Sequence, residues 1–153
     1  MAVNLRAPFL CMQAAAPRMR EGARDRGGRP GPAGVPGAVV NLADLSALHA
    51  WKEFAHHGAS KAGLLQLTRT AAKELGPHVR VNAVIPGPIL PPPGEDPASE
   101  AWHRRGARLP LGRTGEPAEV GDAVVFLAAS DFITGAAISV DGGERLLTGR
   151  PDP

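Results

Sequence analysis

The stretch HHGASKAGL holds a pair of side chains suited to proton chemistry. Lys61 follows His57 by four positions, and residues four apart share one face of a helix. An imidazole changes charge near neutral pH and can act as general acid or base. A neighbouring ammonium favours its neutral form and a neighbouring carboxylate its charged form. His56 lies off the register of Lys61, and His49, His78 and His103 read as surface residues. None of the five histidines pairs with another on one helical turn beside an acidic ligand, so no metal site is expected. The single cysteine, Cys11, excludes an internal disulfide and reads as a small core residue in an apolar helical stretch.

The elements that must position this pair follow from periodicity. Over 54–75, Leu64, Leu67, Ala71 and Leu75 line one helical face, and Gly76 and Pro77 end it. Over 3–19, Leu5, Phe9, Met12, Ala16 and Met19 recur at helical spacing, and Pro8 fits best where the chain enters the helix. Residues 38–43, 79–85 and 136–143 read as buried strands. A short helix carrying Trp102 is expected over 98–109, and another over 117–130, with Pro117 at its favoured first position. The Gly-, Pro- and Arg-rich segment 20–37 and the Pro-rich segment 86–97 read as loops, and 148–153 as a frayed tail. Helices alternating with strands predict an α/β fold with a parallel sheet of about three strands. Such a sheet is narrow, and its apolar outer strands lack partners at their edges.

Bulk properties narrow the function classes. The 153 residues suit one domain, 43% are apolar and only 4% aromatic, with no Tyr, so the core must be aliphatic. The net charge of +2 comes with scattered arginines and no basic helix, which argues against nucleic-acid binding. No apolar run is long enough to span a bilayer and no secretory leader is evident, so a cytoplasmic protein is expected.

Five segments, VVNLADLSA, ASKAGLLQLTRTAAKEL, VRVNAVIPG, PLGRTGEPAEVGDAVVFLAA and ITGAAISVDGG, resemble in order and spacing the C-terminal half of short-chain dehydrogenases/reductases. The resemblance implies residues 1–147 of a Rossmann-type doubly wound sheet, interrupted by 20–37. It also implies hydride transfer between NADP or NAD and a small-molecule carbonyl or C=N substrate, by a protein that forms homo-oligomers. The family's Lys falls on Lys61 and its Asn on Asn4. Its Tyr falls on His57 and its Ser on Asp44, so two of the four catalytic positions are substituted. Asp at the Ser position is similar to pteridine-reductase-like members and points to a pterin-like substrate.

PGPIL resembles the loop that touches the nicotinamide. Pro86 and Gly87 would turn the chain near the cofactor and the Ile89 backbone would meet the carboxamide, while Pro91 stands where a Thr usually follows. Residues 90–109 would form the substrate lid, with Leu90, Trp102 and Leu109 lining it. The final VDGG implies a structural turn near subunit contacts. GGRPGPAG lacks the flanking strand and helix of a phosphate-binding turn. The expectation is therefore a truncated chain without the nucleotide-binding first half. The competing expectation is a non-catalytic member acting only through oligomer contacts.

Overall fold

The structure, a computed structural model, describes residues 1–22 and 37–147. The segments expected to be a loop and a frayed tail fall largely (23–36) or wholly (148–153) outside the described residues.

A widened helical turn, Ala2–Arg6, leads directly into helix α1, Ala7–Gly22. The widening has a sequence cause. Pro8 has no N–H to return to the Asn4 carbonyl, and the preceding N–H groups reach one residue further back, Arg6 to Met1 at 3.2 Å and Ala7 to Ala2. Pro8 thus sits at the second position of α1, where a missing donor costs least.

Strand β1 (Gly37–Leu42), helix α2 (Ala55–Leu75), strand β2 (Val79–Pro86), helices α3 (Glu100–Ala107) and α4 (Pro117–Ala129), and strand β3 (Ala137–Val140) complete the order. The three strands form one parallel sheet in the order β1-β2-β3, with Val39 opposite Val81 and Ala83 opposite Ala137. The sheet is therefore the expected one.

β2 is buried from Val79 to Ile85 and forms the centre of the molecule. Its alternation sorts side chains onto two faces. Val79 and Val81 meet Met12, Ala71 and Ala72 beneath α1 and α2, and Ala83 and Ile85 continue that face with Leu65, Ala43 and Leu45. On the other face Arg80 reaches α4, donating at 2.7 Å to both the Leu127 and Ala128 carbonyls, which α4 leaves unpaired at its end. Asn82 spans the turn into β3, donating to the Ile133 carbonyl at 2.8 Å and accepting from the Ala136 N–H at 3.0 Å.

Three local expectations need correction. Cys11 is exposed, because the buried face of α1 runs through Met12 and Ala16 and turns its neighbour outward. His49 and His78 are half-buried, each with one ring nitrogen sealed from solvent, because each lies where a turn packs back on the sheet.

Candidate active site

The site forms where the chain leaves the C-terminal end of β1. The Ala43 N–H bonds the Val84 carbonyl at 2.8 Å and holds the exit from the strand. Asp44 then caps a short 3-10 turn, Leu45–Ala47, its carboxylate accepting the Ser46 N–H at 2.7 Å. Gly58, in the first turn of α2, lies directly against this turn. A Cβ there would come within 2.9 Å of the Ser46 carbonyl oxygen, so only glycine permits the approach.

That approach brings His57 over Asp44. The His57 Nε2 and Asp44 Oδ1 stand 3.7 Å apart, with the side chains 31% and 29% exposed. The separation exceeds a hydrogen bond, so the carboxylate and the ring face each other without being bonded. One turn along, the Lys61 ammonium donates to the Leu42 carbonyl at 2.8 Å. Burial pushes its pKa below the usual 10.5, and the Asp44 carboxylate offsets part of that shift.

Asp44, His57 and Lys61 thus share one corner. Asn4 joins it indirectly: its Nδ2 donates at 3.3 Å to Ser60 Oγ, which donates at 2.7 Å to the His57 carbonyl. Ser60, only 1% exposed, links the widened turn at the N-terminus to the first turn of α2. Its place directly before Lys61 was the available signal for it. Trp51 and Phe54 were also missed. Their rings form an edge-to-face series with His57, and the spacing 51, 54, 57 carried the clue.

Beyond β2, the Gly87 N–H bonds the Val140 carbonyl at 2.9 Å. A Cβ on Gly87 would lie 2.6 Å from the Asp141 Cα, so this turn requires glycine. Among the described residues, the Ile89 N–H and C=O take no backbone partner, whereas Pro88 next to it accepts the Gly115 N–H at 3.0 Å. Leu90 is exposed, while Trp102 and Leu109 are buried. An open hollow of about 400 Å³ is bordered by Pro88, Ile89, Arg113, Asp141 and Gly143, and none of Asp44, His57 and Lys61 lines it. Among the described residues no cluster of three potential metal ligands exists, and no helix is long and apolar enough to cross a membrane.

Comparison with known proteins places this arrangement. The family model described as Enoyl-(Acyl carrier protein) reductase matches residues 1–144. The mouse (3R)-3-hydroxyacyl-CoA dehydrogenase is 38% identical over 145 residues, covering 93% of this chain and 52% of the mouse protein. The chain belongs to the short-chain dehydrogenase/reductase family. It spans about half the length of the first curated relatives it matches. Among solved structures, the aldohexose dehydrogenase of Thermoplasma acidophilum superposes with a TM-score of 0.80 at 30% identity, over 99% of this chain and 60% of that one. FolM alternative dihydrofolate reductase 1 from Brucella canis, complexed with NADP, gives 0.78 at 33% identity, over 99% and 54%. Family membership and the α/β Rossmann-type sheet expected from sequence are both confirmed.

Proposed function

We propose that this chain carries the proton-transfer and substrate-binding side of an NAD(P)-dependent oxidoreductase acting on a carbonyl or C=N bond. The observation that carries the reading is the Asp44–His57–Lys61 corner at the C-terminal end of a parallel strand, the end at which open α/β sheets bind ligands. His57 takes the place of the family's Tyr. Its imidazole would give a proton to the substrate oxygen or nitrogen in one direction and accept it in the other, with the Asp44 carboxylate facing the ring. Lys61, pinned on the Leu42 carbonyl, keeps a cation one turn further along the helix. Asn4 and Ser60 fix the turn that carries His57.

The residues present fit the nicotinamide end of NADP or NAD. Lys61 would hold the ribose, Pro86 and Gly87 make the close turn beside it, and the Ile89 backbone groups, free of backbone partners among the described residues, would meet the carboxamide. When bound, the cofactor supplies or removes the hydride. The substitution at Asp44 and the likeness to FolM favour a pterin-like heterocycle as substrate. Self-association as a homo-oligomer is supported by Phe9 and Leu10 on α1 and Val125 and Phe126 on α4, all about half-exposed or more.

The test is loss of nicotinamide absorbance with carbonyl and dihydropterin substrates. Turnover is expected, with Lys61→Ala and His57→Gln each lowering kcat/KM by about 100-fold. Turnover that both variants leave unchanged would sink the assignment.

A further inference from the structure

The chain has two Trp and four Phe and builds its core from aliphatic residues. Phe9, Phe126 and Phe132 are exposed on the surface, and so are Trp51 and Phe54, but these last two form a ring series with His57. Trp51 is 38% and Phe54 50% exposed, whereas Trp102 is 7% exposed. The Trp51 and Phe54 ring centres lie 6.1 Å apart at 89°, and those of Phe54 and His57 6.4 Å apart at 81°. Each contact is edge-to-face, a geometry that orders aromatic rings while leaving faces open. Between the two, Glu53 adopts a φ of 65°, a left-handed conformation uncommon for a residue with a side chain. Backbone strain of this kind persists where the surroundings impose it, and it clusters at binding sites. Here it turns the chain sharply between Trp51 and the start of α2.

We propose that Trp51 and Phe54 form a stacking wall next to His57 that selects planar aromatic or heteroaromatic substrates over saturated ones bearing the same reactive group. An apolar wall ending in one ionisable pair, His57 and Asp44, matches a ligand with a flat ring body and a polar reacting edge. The inference rests on the proposed function for the identity of the reacting edge only; the ring preference is a binding property.

The experiment measures binding to the full 153-residue chain by calorimetry, without cofactor. The probes are isatin, a planar aromatic dione, and cyclohexane-1,2-dione, its saturated counterpart. Isatin is expected to bind about tenfold more tightly, with Trp51→Leu and Phe54→Leu each costing about fivefold for isatin and leaving the saturated dione unchanged. Leucine keeps the surface apolar at two exposed positions, so both variants should retain the wild-type circular dichroism. Trp51→Tyr, which preserves a ring, should restore most of the preference. Equal binding of the two probes, or an isatin preference untouched by both leucine variants, would overturn the proposal. So would loss of concentration-dependent sedimentation in Trp51→Leu with isatin binding intact, which would assign the patch to a second copy of the chain. A ring preference that persists without any hydride transfer would leave the wall standing and remove the oxidoreductase reading.

Discussion

The surroundings of β2 and the corner around His57 are built on opposite terms. Along β2 every side chain from Val79 to Ile85 is buried, and its polar members hold backbone groups that would otherwise be left unpaired. At the corner the ionisable side chains are about a third exposed, and Asp44 and His57 approach without closing a hydrogen bond. The frame is fixed by polar side chains whose hydrogen bonds run to the chain's own backbone. The corner brings Asp44 and His57 face to face without bonding them to each other. Stability and chemistry therefore reside in different residues, and substitutions should separate them.

The largest effect is expected in the frame. Asn82→Ala leaves the Ile133 carbonyl and the Ala136 N–H without partners beside a side chain that is 1% exposed. A loss of about 3 kcal/mol is expected in urea unfolding. His57→Gln at the half-exposed corner should cost less than about 1 kcal/mol in the same measurement. Similar losses for the two would erase the distinction.

Gly87 lies where the two regions join. A methyl group in Gly87→Ala would meet the Asp141 Cα at 2.6 Å, and Asp141 is itself buried and bound to the Gly143 and Arg145 N–H groups. With neither side free to yield, overpacking should cost about 2 kcal/mol. The same substitution should displace the Ile89 backbone, so cofactor affinity should fall along with the unfolding midpoint. A loss of stability with affinity intact would place Gly87 in the frame alone.

Much of the frame was legible from sequence because period and punctuation are local. The helix ending at Leu75, the strand opening at Val79 and the Pro at the start of α4 all carry their own signals. The pairing of His57 with Lys61 was equally readable, being a matter of four positions on one helix. The position of Asp44 was not, since it depends on how closely Gly58 lets α2 approach a turn twelve residues earlier. Asn4 shows the same limit. The resemblance pointed to Asn4, but its hydrogen bond goes to Ser60, a partner 56 positions away that only packing selects. Trp51 and Phe54 were overlooked because their spacing of three to His57 begins in a loop ahead of α2, where no helical period flags it.

The smallest effect tests the exposed tie between frame and site. Glu119, in the first turn of α4, accepts both Arg113 guanidinium nitrogens, at 3.1 and 2.6 Å, and the Glu116 N–H at 2.8 Å. These bonds hold its carboxyl well below the usual 4.5, at about 2. A depressed carboxyl pKa means that the unfolded chain binds the proton first as pH falls. The stabilisation is therefore fully present above pH 4.5 and is lost as pH falls through about 2. Because the pair is open to solvent, the gain is small and salt-sensitive. Glu119→Gln should lower the urea midpoint slightly above pH 4.5 and converge with the parent chain as pH falls through about 2 and the glutamate loses its charge. The difference should also shrink in high salt. A gap that stays constant with pH would mean that Glu119 holds α4 through its bond to the Glu116 N–H, which a glutamine can still accept, and that the ion pair with Arg113 contributes nothing to the tie.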